Sequence, residues 1–149
     1  MTFQRTNSDN VDFQNLVVLL DRDLQSIDGD EHSFYAQFNK IVNIQHVVVC
    51  YLDDQPIGCG AFKEYESNKV EIKRMFVSPG YRGQGVGKGI LNELELWALE
   101  LKYTSCILET GKRQPAAIKL YQKAGYKIIG NFGQYENVEN SVCMEKPIF

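Results

Sequence analysis

A mixed α+β fold, one sheet with helices packed on it, is predicted by the order of hydrophobic patterns along this chain. Residues 46–52 and 57–64 are β-rich runs joined by the turn-forming Asp53-Asp54-Gln55-Pro56, which predicts a hairpin. Residues 11–24 and the stretch after Gly89 repeat apolar side chains at about 3.6 residues, the period of an amphipathic helix. Strand-like and helix-like runs then alternate to the last residues.

Taken in order, residues 2–6 form a short first strand. Phe13, Leu16, Val17, Leu20 and Leu24 share one face of a helix that Asn7 to Asn10 can cap. Residues 33–39 make a second short helix. After the hairpin, residues 70–77 form a strand ended by Ser78-Pro79-Gly80. In the next helix Ile90, Leu91, Leu94, Trp97, Ala98 and Leu101 line one face, with Asn92, Glu93, Glu95 and Glu100 largely off it. Residues 103–110 are a strand, and 114–124 a helix stopped by Gly125, which suits a C-cap. Residues 126–129 and 141–145 are the last strands.

With 149 residues, the chain reads as one domain over 1–149. Its 44% hydrophobic and 23% charged residues are those of a globular protein. A net charge of −3 lacks the basic excess of a nucleic-acid-binding surface. Cys50, Cys59, Cys106 and Cys143 show no C-x-x-C spacing, and His32 and His46 are not placed to complete a zinc site. Buried reduced thiols and no metal are expected. The first residues lack a basic segment followed by an apolar one. The longest apolar run, 47–52, is too short to span a bilayer. A cytoplasmic protein with no membrane or nucleic-acid partner is the expectation.

Gly80, Gly83, Gly85, Gly87 and Gly89 crowd the passage from strand to helix. A Walker A loop fails, because Gly83 and Gly87 are one residue too close and Lys88 is followed by Gly89. A dinucleotide fingerprint fails because Ile90 stands where the third glycine belongs. The remaining reading is an anion site at a helix N-terminus, where bare amides and the helix dipole both favour negative charge. Arg82 would add positive charge. A merely flexible turn does not require alternate glycines in a helical start, where each costs about 0.8–1.0 kcal/mol relative to Ala.

Arg82-Gly83-Gln84-Gly85-Val86-Gly87 resembles the pyrophosphate loop of the GNAT superfamily, the acyl-CoA-dependent N-acetyltransferases. The preceding Glu71-Ile72-Lys73-Arg74-Met75-Phe76-Val77 is similar to that family's strand, and residues 114–126 to its "N…A…LY…GF" helix, with Gln114 where many relatives have Asn. The resemblance implies a mostly antiparallel sheet of six to seven strands flanked by four helices. It also implies a splayed parallel pair, residues 70–77 and 103–110, with the pantetheine arm of acetyl-CoA between them. Met75 and Val77 would pair with that arm through their backbones, and Gln114 through its side chain. The diphosphate would sit on the amides from Gly83 to Lys88, the Lys88 side chain either assisting or only decorating the first turn.

Transfer to an amine requires that a proton leave the ammonium, that the thioester oxygen be stabilised, and that the departing thiolate be protonated. The resemblance makes Tyr121 the donor to the sulfur; core packing is its alternative. The N–H of Met75 or Phe76 would polarise the carbonyl. Glu71 matches the strand glutamate that acts as general base in several relatives, and between Val70 and Ile72 it would be partly desolvated. A salt bridge to Lys73 or Arg74 is the other reading. Glu109 is a second carboxylate, acting directly or through water, or else a polar strand end. Cys106, with nothing basic before it, is read as buried rather than as an acyl carrier.

In GNAT proteins the first helices and the last hairpin often line the acceptor site. Here Asp21, Asp23, Asp28, Asp30 and Glu31 are compatible with a cationic amine or with a solvated helix face, and Phe132, Tyr135 and Val138 would form an apolar lip. The expectation is an N-acetyltransferase acting by direct attack on a primary amine of a small molecule or peptide. A homodimer is compatible with it. Its rivals are a non-catalytic acyl-CoA sensor or scaffold and a nucleotide-binding regulator.

Overall fold

A computed structural model describes residues 1–28 and 43–149. The helix expected at residues 33–39 lies outside the described residues. Within them the order is β1 (Thr2–Thr6), α1 (Val11–Asp28), β2 (His46–Leu52), β3 (Gln55–Glu66), β4 (Lys69–Val77), α2 (Val86–Glu100), β5 (Ser105–Gly111), α3 (Pro115–Lys123), β6 (Lys127–Ile129) and β7 (Ser141–Pro147). The strands form one seven-stranded sheet in the order β1-β2-β3-β4-β5-β7-β6. Every neighbouring pair is antiparallel except β4 and β5. The mixed sheet is as expected, and three α-helices stand among the described residues.

Period-two alternation decides what each face covers. Val47 and Val49 of β2 meet Phe13, Leu16, Val17 and Leu20 of α1 in one core cluster. Val48 and Cys50 face the opposite way and join Ile90, Leu91, Leu94 and Ala98 of α2. The sheet is therefore buried on both sides, which explains the near-continuous apolar run of β2. The Asn10 side chain caps α1, accepting from the Phe13 N–H at 2.9 Å. Asp53 and Asp54 hold φ of 51° and 64°, the left-handed pair that a two-residue hairpin turn requires.

Two details depart from helical-wheel reasoning. The second helix ends at Glu100, leaving Leu101 exposed. Glu95 is buried, accepting from the Tyr126 hydroxyl at 2.9 Å and from Lys146 Nζ at 2.8 Å. It sits on the flank of the apolar stripe, where Tyr126 and β7 supply donors for a carboxylate.

The decisive irregularity lies in β4. Cys59 pairs with Phe76, but Ala61 pairs with Lys73, so two steps along β3 match three along β4. The extra residue is a β-bulge, and Arg74 carries a φ of +61°. On the other edge of β4, parallel pairing joins Lys69 to Ile72 with Ser105 to Leu108 and stops there. Beyond that point the strands part.

The second helix also approaches β3 closely. A Cβ on Gly60 would lie 2.8 Å from Ile90 Cγ2 and 2.9 Å from Leu94 Cδ1. Gly60→Val is expected to destabilise the fold by about 1–3 kcal/mol through overpacking. That lowers Tm by roughly 3–10 °C in thermal unfolding; an unchanged Tm would contradict this packing.

Candidate active site

Where β4 and β5 part, a cleft of about 790 Å³ opens, solvent at its mouth included. Glu71, Lys73, Arg74 and Met75 of β4 form one wall, and Glu109, Thr110 and Gly111 of β5 the other. Leu20 and Leu24 of α1 contribute from one face of the sheet, Ala117 and Tyr121 of α3 from the opposite face. The cleft is therefore lined from both faces of the sheet. Met75 and Val77 lie on the stretch of β4 beyond its pairing with β5, and Phe76 between them packs against α1's cluster.

Beyond β4, a 3₁₀ turn at Pro79–Tyr81 leads into the glycine-rich loop. Gly83 and Gly85 hold φ of 78° and 84°, and a Cβ on either would meet nothing. The need for glycine there is conformational. Gly85 is the N-cap of α2 and offers no side chain to cap it, so the first-turn amides of Val86, Gly87 and Lys88 have neither an intrahelical partner nor a capping side chain. Gly87 is buried, its absent Cβ 3.2 Å from Leu120, which seats α2 against α3.

Arg82 does more than supply charge. Its Nε donates to the Val77 carbonyl at 2.8 Å, its Nη2 reaches Asp23 at 3.0 Å, and its guanidinium lies over the Phe76 ring. It thus ties the loop to β4 and α1. The Gln84 amide donates to the Gly80 carbonyl, and Lys88 is exposed. Gln114 is the N-cap residue of α3, followed by Pro115 at the first helical position, and lines the cleft.

Glu71 is 5% exposed. It accepts from the Tyr135 hydroxyl at 3.2 Å and from Lys73 Nζ at 3.4 Å. The lysine contact expected as an alternative thus coexists with a place in the cleft. Burial pushes the Lys73 ammonium down in pKa, partly offset by Glu71. Glu109 accepts from Ser141 Oγ at 2.6 Å. Tyr121 is 7% exposed and packs edge-on against Tyr126. Burial, and then the negative charge of Glu109, raise its pKa, so its phenol keeps the proton at neutral pH.

Cys106 is fully buried, and burial pushes its thiol up to about 12. The other three cysteines are buried and free as well. Among the described residues no group of side chains is arranged to hold a metal ion, and no helix is long and apolar enough to cross a membrane.

Several roles differ from the sequence expectation. Tyr135 is not a lip but a buried partner of Glu71, while Phe132 packs against both Tyr65 and Tyr135. Asp21 pairs with Arg74 at 3.2 Å and Asp23 with Arg82 at 3.0 Å, so neither is a bare charge awaiting a cationic acceptor. Asp30 and Glu31 lie outside the described residues. Arg74 and Ser141 were missed. The signal for Arg74 was two consecutive cations, Lys73 and Arg74, inside an apolar strand. A regular strand would send them to opposite faces, yet both are buried on the wall of one cleft.

Comparison with known proteins gives a consistent picture. The model of the Acetyltransferase (GNAT) family matches residues 13–126. A protein of Azospirillum brasilense named IAA acetyltransferase is 34% identical over 143 residues, covering 91% of this chain and 92% of that one. A crystal structure from Klebsiella pneumoniae, assigned as an acyl-CoA N-acyltransferase, superposes with a TM-score of 0.84 at 30% identity, covering 99% and 97% of the two chains. The PaiA N-acetyltransferase of Thermoplasma acidophilum, solved with coenzyme A, shares the fold at a TM-score of 0.71 and 19% identity over 99% of each chain.

The buried, high-pKa thiol of Cys106 is expected to carry no acyl group. Intact-mass analysis after incubation with acetyl-CoA should show no adduct that disappears in Cys106→Ser; such an adduct would make this cysteine a carrier.

Proposed function

The chain belongs to the GNAT acetyltransferase family and is an acyl-CoA-dependent N-acetyltransferase, and we propose that its chemistry runs through the cleft between β4 and β5. Acetyl-CoA enters from the α3 face. Its diphosphate rests on the uncapped amides of Val86, Gly87 and Lys88 and on the Gly83–Gly85 turn, where the helix dipole favours an anion. Its pantetheine arm runs along the unpaired edge of β4, hydrogen-bonding to the backbone of Met75 and Val77 and to the Gln114 side chain. Residues 1–149 form one N-acetyltransferase domain.

The acceptor is a primary amine on a small molecule or peptide, entering from the α1 face. Its nitrogen attacks the thioester carbon as the C–S bond breaks, with the N–H of Met75 or Phe76 polarising the carbonyl. Glu71 takes the proton lost by the ammonium, directly or through water, with Glu109 as the second carboxylate within the cleft. Tyr121, held protonated by burial, donates its hydrogen bond to the departing sulfur. No covalent intermediate on the protein is needed, in keeping with the inert Cys106. The observation that carries this reading is one cleft, reached from both faces of the sheet by its lining side chains, that holds a carboxylate of β4 and a protonated phenol of α3.

Tyr121→Phe and Glu71→Gln are each expected to lower kcat by about 10²-fold or more, with coenzyme A affinity kept within about twofold. Thiol release from acetyl-CoA measures the first quantity and thermal stabilisation by coenzyme A the second. Both variants turning over within about twofold of the parent would overturn the assignment of these roles, and would leave the cofactor site standing.

A further inference from the structure

Arg74 holds the most demanding position in the cleft wall. Its backbone is left-handed, and its side chain is only 2% exposed. Nη1 meets Asp21 at 3.2 Å, but that carboxylate is itself 48% exposed. The Nε of Arg74 is buried and has no hydrogen-bond partner. A guanidinium keeps its charge under burial and carries five donors in a planar fork, and the contact of Nη1 with Asp21 leaves the Nε edge of that fork unused. An orphaned buried donor is costly, and native structures contain few of them without a reason.

The surroundings of Arg74 narrow what would satisfy it. On the same cleft, Glu71 and Glu109 supply negative charge, and Lys73, on the same wall as Arg74, lies 3.4 Å from Glu71. Asp21 approaches from α1 and Tyr135 from the segment before β7. The cleft is thus bipolar, with carboxylates that suit an ammonium and a desolvated guanidinium that suits an anion. A carboxylate matches the fork of Nε and Nη in a planar, two-bond geometry.

We propose that the acceptor is an amine that also bears a carboxylate, an amino-acid-like zwitterion whose carboxylate is bound by Arg74 while its amino group faces Glu71. This rests on the cleft being the acetyl-transfer site. A zwitterion answers both poles at once, whereas a simple alkylamine leaves the guanidinium unsatisfied. Arg74 thereby sets specificity, and Asp21 orients it from outside the cleft.

The test compares three forms of each acceptor by thiol release from acetyl-CoA: the free amino acid, its carboxamide and its decarboxylated amine, with small, acidic, basic and aromatic side chains. The expected result is a kcat/KM at least tenfold higher for the best free amino acid than for its two partners. The carboxamide is the stringent control, because its less basic amine is more fully deprotonated at neutral pH. In Arg74→Met the ratio of acid to carboxamide should collapse toward one, chiefly through KM. A parent enzyme that uses carboxamides or simple amines as well as the acids overturns the proposal, as does an Arg74 variant that keeps the preference, or turnover of no member of the panel. The comparison within the parent protein needs no variant to fold. Loss of the underlying cleft reading would register separately, as absence of thermal stabilisation by coenzyme A.

Discussion

One extra residue in β4 governs this structure. A strand between two partners normally keeps register with both, but at Arg74 the chain adopts a φ of +61° and breaks step with β3. Such a conformation in a non-glycine residue costs on the order of 1–3 kcal/mol and persists only where its surroundings impose it. Here the Arg74 carbonyl accepts from the Cys59 thiol at 3.4 Å, and its side chain is anchored by Asp21. The consequence appears on the opposite edge. The parallel pairing of β4 with β5 ends at Ile72, and the backbone that follows is not paired with β5.

The rest of the fold holds the glycine loop and the open stretch of β4 in fixed relation. Gly58 and Gly60 let α2 lie close on β3, and Gly87 lets its first turn meet Leu120 and Val77. The first-turn amides of α2 and the open stretch of β4 therefore belong to one packed unit. Arg82 reinforces the link by joining the loop to β4 and α1. On the far side of the sheet, Tyr135 and Lys73 fix the Glu71 carboxylate. The proposed diphosphate site and the proposed base are thus supported from different faces of the same sheet.

Much of this was legible in the residues. Period-two and period-3.6 patterns located all seven strands and all three described helices, because apolar spacing reports burial directly. Element ends moved by a few residues, as with β5, which begins at Ser105 rather than 103. The glycine loop was legible because positive φ and uncapped amides leave a compositional trace. The bulge was not, since Arg74 carries no glycine to announce it and register depends on β3. Nor was the burial of Tyr135 against Glu71, a contact between residues 64 positions apart. The acidic first helix left two readings open, and its ion pairs were hidden for the same reason: Asp21 and Asp23 meet arginines brought near only by folding.

The account stands or falls on whether coenzyme A occupies the gap that the bulge creates. Amide hydrogen exchange, followed residue by residue with and without coenzyme A, reads this directly. Protection is expected at Val86, Gly87 and Lys88 together with Met75 and Val77, while β1 and β2 stay unchanged. Tight binding that leaves both stretches exchanging as in the free protein, or that protects a different face of the sheet, would contradict it.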